Sequence, residues 1–153
     1  MKKIMIMLLL GGIFCTAAIA QKITTDRVPA LVYRSFKSRF PASNQESWAK
    51  ESKSIYEVVF FNEKKKQSAS FDTAGTWLET ETEINFNQLP RPVNAGFNKQ
   101  FGDFTIQETL QVETADKGTI YELTINKGKV GYEVQFSAKG ELLKKEEAKP
   151  EED

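Results

Sequence analysis

The segments "VPALVYRSFKSRFP" at 28–41 and "LPRPVNAGFNKQFG" at 89–102 decide the fold, because they are one pattern written twice. They align without gaps: Pro29 with Pro90, Val32 with Val93, Phe36 with Phe97 and Phe40 with Phe101. Two further blocks come after them in the same order, "IYEVVF" at 55–60 with "IYELTI" at 120–125, and "SFDTAGTWLE" at 70–79 with "QFSAKGELLK" at 135–144. Three blocks in one order read as an internal duplication.

Within each copy, Val32, Phe36 and Phe40, and again Val93, Phe97 and Phe101, are spaced as one apolar stripe on a helix. Pro29 and Pro90 suit helix starts, where the missing N–H costs little. Pro41 and Gly102 end the helices. The period then changes to two. Tyr56, Val58 and Phe60 alternate with Ile55, Glu57 and Val59, as Tyr121, Leu123 and Ile125 do with Ile120, Glu122 and Thr124. Earlier strands are expected around 46–51 and 105–113, and later ones after the turns "NEKK" at 62–65 and "NKGK" at 126–129. The expected fold class is α+β: two tandem units, each a helix and four antiparallel strands, forming one sheet with both helices on one face. The expected organisation is a signal peptide at 1–20, a first unit at 21–87, a second at 88–146 and a charged, disordered tail at 147–153.

The chain opens "MKKIMIMLLLGGIFCTAAIAQ". Lys2 and Lys3 precede an apolar run, and Ala18-Ile19-Ala20 forms an Ala-x-Ala site, so a secretory signal with cleavage after Ala20 is expected. That implies a periplasmic or secreted protein with no stable membrane span after cleavage. The chain's one cysteine, Cys15, lies in the signal, and there is no histidine. Thiol nucleophiles, Ser-His-Asp triads and imidazole or thiolate metal sites are therefore excluded. Without disulfides, an exported domain depends on packing. Lys plus Arg and Asp plus Glu both total 21, and loss of Lys2 and Lys3 leaves a slight acidic excess, which does not suit nucleic acid. No cofactor is expected.

Asp72-Thr73-Ala74-Gly75 resembles the Asp-Thr-Gly loop of aspartic proteases, but Ser137 stands at the matching place in the second copy. A dyad needs both carboxylates. The feature shared by the two copies is a three-residue hairpin loop with Gly75 or Gly140 in the left-handed conformation, and Asp72 reads as a turn residue. Glu79, Glu81 and Glu83 share one strand face. They could hold a metal weakly, but a solvated face or a negatively charged edge is the expected role. No two acids or lysines form a recognisable catalytic arrangement, so no enzyme is expected.

If Tyr56, Val58 and Phe60 face the helices, Glu57, Val59 and Phe61 face the uncovered side. Pairing across the Gly75 turn sets Phe71 and Trp77 towards the helices, and Ser68, Ser70, Leu78 and Thr80 away from them. Ile120, Thr124, Gln135 and Leu143 are their expected counterparts in the second copy. Apolar residues mixed with small polar ones suit either a protein-binding surface or a dimer face. Glu63, Lys64 and Lys65 form a hairpin tip.

In their order and duplication, the signal peptide, "VPALVYRSFKSRFP", "YEVVF", "FDTAGTWLETETEI", "YELTI" and "VQFSAKGELLK" resemble the PepSY-like, β-lactamase-inhibitor-like family of exported bacterial proteins, notably of Bacteroidetes. The resemblance covers about residues 23–146. It implies a fold like that of the β-lactamase inhibitory protein, whose concave sheet face grips an enzyme while a hairpin tip carrying an Asp enters the active site. The corresponding tip here has Glu63 and no Asp, with Lys64, Lys65 and Lys66 next in the chain. The expected function is an exported, non-enzymatic module that binds a protein partner, such as an envelope hydrolase, through its uncovered sheet face. The alternative is a small-ligand or peptide binder using the groove between the units.

Overall fold

The computed structural model describes residues 21–148. The expected signal peptide and the end of the expected tail lie outside these residues. In chain order the elements are β1 (Gln21–Ile23), α1 (Ala30–Arg39), β2 (Asn44–Lys50), β3 (Ile55–Asn62), β4 (Lys65–Asp72), β5 (Trp77–Glu83), α2 (Arg91–Phe101), β6 (Thr105–Thr114), β7 (Gly118–Lys127), β8 (Val130–Ser137) and β9 (Leu142–Glu147). Single 3₁₀ turns at Thr25–Arg27 and Phe86–Gln88 lead into the two helices. The nine strands form one antiparallel sheet in sequence order. This is an α+β fold with two helices and a nine-stranded sheet.

The helical stripes bury as their spacing requires. Val32 and Phe36 of α1 are fully buried with Tyr56, Val58, Phe60 and Phe71 in one cluster. Phe36 meets the rings of Phe60 and Trp48 edge-on at 5.0 and 5.2 Å, a geometry that adds about 0.5–1.5 kcal/mol per pair beyond burial. Val93, Phe97 and Phe101 of α2 form a second cluster with Tyr121, Leu123, Ile125, Val134 and Phe136.

The register places both helices on the same side of the sheet. Ala69, in the first cluster, pairs with Thr80; Thr80 pairs with Glu113, and the neighbouring Thr82 with Gln111. Gln111 pairs with Tyr121 of the second cluster. Directly paired residues share a face, so the helix side runs unbroken across the sheet. At its centre that side is polar, with Thr80, Thr82 and Gln111, and the core accordingly divides into two clusters. The opposite side carries apolar residues there instead: Leu110, Val112 and Ile120 form a third buried cluster.

Both hairpins β4–β5 and β8–β9 carry a bulge. Phe71 pairs with Trp77 and Ser70 with Glu79, leaving Leu78 as the extra residue. Phe136 pairs with Leu142 and Gln135 with Lys144, leaving Leu143 extra. A bulge sets two residues against one and shifts the rest of the strand by one position. Thr80 therefore turns to the helix side, where its hydroxyl accepts from the Trp77 indole at 2.9 Å. This corrects its expected place on the uncovered side.

Three further expectations change. The strand β1 was not foreseen; it pairs with β2. Lys65 is the first residue of β4 and not part of the tip, which is Glu63-Lys64. Glu147 closes β9 and so does not belong to a disordered tail.

Candidate functional site

The side of the sheet turned away from the helices is the candidate site. Pairing determines its residues. Glu57 pairs with Ser70, and Ser70 with Glu79. Val59 pairs with Ser68, Ser68 with Glu81, Glu81 with Val112, and Val112 with Ile120. Phe61 pairs with Lys66. Further along, Glu83 pairs with Leu110, Leu110 with Glu122, Glu122 with Gln135, and Gln135 with Lys144. Glu108 pairs with Thr124, and Thr124 with Glu133.

The sheet thus brings Glu57, Val59, Phe61, Ser68, Ser70, Thr124 and Gln135 to the uncovered side. Leu78 and Leu143 stand at bulges beside it, and Leu143 is 49% exposed. Ser70, in contrast, is buried between Glu57 and Glu79. The tip residues Glu63 and Lys64 lie at the end of the β3–β4 hairpin with φ of 49° and 68°. Both are left-handed, the signature of a type I′ turn built without its usual Asn-Gly.

The carboxylates depart most from expectation. Glu79 and Glu81 do not lie on a solvated face or edge, because β5 lies inside the sheet between β4 and β6, whereas Glu83 is exposed as expected. Glu79 is buried and Glu81 half-buried. Glu122 is 2% exposed. Ser68 donates to Oε2 of Glu81 at 2.9 Å, and Gln135 donates to Oε2 of Glu122 at 2.8 Å. Oε1 of Glu122 has no hydrogen-bond partner.

Burial disfavours the charged form of a carboxyl, and neighbouring acids add to the effect. Burial first, then the nearby acids Glu51, Glu122 and Glu57, push Glu79 up to about 7. Burial also takes Glu122 up to about 7, against the hydrogen bond from Gln135. Burial and then Glu79 hold Glu81 well above the usual carboxylate range. Glu51 is raised to about 7 by burial and then by Glu57. Glu108 is raised by burial and then by Glu83. Among the described residues, no three acidic side chains converge on a site that could hold a metal ion.

Sequence reasoning missed this acidic, partly apolar centre. The signal was present in "TLQVET" at 109–114, where Leu110 and Val112 alternate with Thr109 and Gln111. Which way that alternation pointed depended on how β5 and β6 meet.

Asp72 occupies the turn that the duplication indicates. Its Oδ1 accepts from the amides of Thr76 at 2.8 Å and Ala74 at 2.9 Å, which holds its carboxyl below the usual range. Ser137 accepts from the amides of Glu141 at 3.2 Å and Lys139 at 3.3 Å in the matching turn. Two open depressions lie on the described surface, one beside β1 around Lys22, Arg27 and Tyr56, the other on α1 around Leu31, Arg39 and Trp77. Neither lies between the two halves of the sheet. Among the described residues no helix is long and apolar enough to cross a membrane.

Residues 54–144 match the family model described as "Putative beta-lactamase-inhibitor-like, PepSY-like". Solved structures from Bacteroides share the fold. A BLIP-like protein from Bacteroides fragilis has a TM-score of 0.70 at 22% identity, over 80% of this chain and 88% of its own. One of the "putative periplasmic proteins" of Bacteroides eggerthii has a TM-score of 0.73 at 21% identity, over 78% of this chain and 88% of its own. A DUF2874 family protein from Bacteroides ovatus has a TM-score of 0.72 at 20% identity, over 78% and 86%. No curated protein matches the chain.

Proposed function

Because the chain belongs to the PepSY-like, beta-lactamase-inhibitor-like family, we propose that it is an exported, non-enzymatic module that binds a protein partner through the uncovered side of its sheet. One observation carries this reading. Both helices cover one side, and on the other Val59 and Phe61 are only half-buried beside the polar Ser68 and Lys66. Accessible apolar side chains set among polar ones suit a protein-binding surface.

The module is read as two tandem units, each a helix and then four strands. The order of elements supports this, as do the bulges at Leu78 and Leu143 and the paired turns at Gly75 and Gly140. Export, with cleavage after Ala20 and a periplasmic or secreted destination, rests on the leader sequence and on the description of the Bacteroides eggerthii relative. An envelope hydrolase is the partner class that the family's name suggests.

The test is capture of a partner from the envelope fraction by the tagged mature protein. Val59→Asp and Phe61→Asp each add a charge to the uncovered side without touching the helix-side core. Both variants are expected to fold and to lose capture. Capture retained by both would show that another surface binds.

A further inference from the structure

Cleavage after Ala20, the site that the leader sequence marks, makes Gln21 the first residue of the mature chain. The structure puts that residue where trimming would matter. Gln21 begins β1, an edge strand only three residues long. Gln21, Lys22 and Ile23 pair with Lys50, Ala49 and Trp48 of β2. Ile23 also packs against the first core cluster, to which the buried Trp48 belongs. A chain terminus frays unless a strand or helix ties it down. Here the tie is also what covers β2. Loss of three residues would remove β1 and turn β2 into the sheet edge, with unpaired N–H and C=O groups that invite pairing with other chains.

The surroundings of Gln21 bear on its chemistry. It is exposed, and among the described residues no hydrogen bond holds its side-chain amide. The carboxamide can therefore fold back onto the α-nitrogen of its own residue, a closure that makes a five-membered ring. Lys22, Arg27 and Lys50 line the same open depression as Gln21. Among the described residues none of these three is in an ion pair. A free α-ammonium on Gln21 would add a fourth cation to them. Like charges favour the neutral amine, which is the nucleophilic form.

We infer that Gln21 is a modification site: in the mature protein it is cyclised to pyroglutamate, which closes β1 to aminopeptidases and removes the terminal charge. In the reaction the α-nitrogen attacks Cδ of the side-chain carboxamide. The new N–Cδ bond closes the lactam, the bond from Cδ to Nε2 breaks, and that nitrogen leaves as ammonia with one proton from the α-amine. Nothing is oxidised or reduced, and no co-reactant is consumed. Both groups belong to one residue, so the step has the high effective concentration of an intramolecular reaction. The lactam keeps one N–H and the carbonyl of residue 21, so the pairing of β1 with β2 is retained. The inference rests on the proposed export and on cleavage after Ala20, and it adds the chemical state of the new terminus.

The experiment measures the intact mass of the protein purified from its own envelope fraction, with tandem mass spectrometry of the N-terminal peptide. The expected mass is that of residues 21–153 less one ammonia. Treatment with pyroglutamyl peptidase is expected to leave Lys22 as a free terminus. Gln21→Ser, purified in the same way, is expected to carry a free amine and to lose residues 21–23 to a broad-specificity aminopeptidase that leaves the parent protein intact. Circular dichroism of this variant before digestion separates a lost cap from a lost fold. The full mass of residues 21–153, with no ammonia lost, would overturn the inference and leave the proposed export standing. A chain that keeps its leader would overturn both, and a chain cut at another position would overturn the inference because Gln21 would not be terminal. Equal resistance of Gln21→Ser to the aminopeptidase would overturn the protective role.

Discussion

Gln135 donates a 2.8 Å hydrogen bond to one oxygen of Glu122 and leaves the other without a partner, on a residue only 2% exposed. The pair lies on the side of the sheet away from both helices, beside the third buried cluster, where Glu122 pairs with Leu110. A half-satisfied carboxylate in that position makes the uncovered side the most chemically distinctive part of the molecule.

Stability should fall as pH rises. The folded-state titrations of Glu51, Glu79 and Glu122 are raised from 4.5 to about 7. A group raised in the folded state contributes stability that is complete below its unfolded value and lost as pH rises through its folded value. The window is therefore about 4.5 to 7. Melting temperature should be higher at pH 5 than at pH 8. Glu122→Gln should raise it at pH 8, by on the order of 1 kcal/mol in stability, and flatten the slope. A melting temperature that rises from pH 5 to pH 8 would contradict the burial of these acids.

The β3–β4 tip should be improvable. Glu63 and Lys64 hold φ of 49° and 68°, a conformation that costs a non-glycine residue roughly 1 kcal/mol or more. Replacing the two with Asn-Gly should raise the denaturation midpoint, with a gain of about 0.5–1 kcal/mol after the entropy that glycine adds to the unfolded chain. An unchanged or lower midpoint would mean that the turn is not of this type.

Glycine substitutions should rank by what a methyl group would meet. At Gly140 it would lie 2.0 Å from the Pro92 carbonyl oxygen, and at Gly75 2.9 Å from that of Leu31, both at left-handed φ. At Gly118, also left-handed, nothing lies within 4 Å. Gly140→Ala should destabilise most, Gly75→Ala next, and Gly118→Ala by only about 1 kcal/mol of backbone strain. Urea unfolding of the three variants gives the order, and equal effects would show that these hairpins do not press against the helices.

Asp72→Ser should be nearly silent, because Ser137 caps the matching turn with the same pair of amide contacts. Asp72→Ala removes the acceptor and should cost about 1 kcal/mol. Circular-dichroism melts would separate the two. A large loss with Ser would mean that the carboxylate does more than cap its turn.

The helices and strands were legible in the sequence because periodicity reports burial directly. Phe36 and Phe97 mark their stripes, and Tyr56-Val58-Phe60 and Tyr121-Leu123-Ile125 mark the helix-facing rows. Thr80 was misplaced because a bulge at Leu78 changes the alternation, and no residue type announces a bulge. Glu79 and Glu122 could not be read as buried, nor Glu81 as half-buried. Their burial depends on β5 pairing with β6 across the middle of the chain, a long-range contact that local pattern does not encode. The apolar side of β6 was equally hidden, since Leu110 and Val112 show a period but not a direction.

The most direct test of the binding face is site-specific photocrosslinking in the envelope. A photoreactive phenylalanine analogue is placed at position 59 on the uncovered side, or at position 31, where Leu31 is 53% exposed on α1. Binding through the uncovered side predicts a discrete protein adduct from position 59 and none from position 31. An adduct formed only from position 31, with both variants folded, would contradict it.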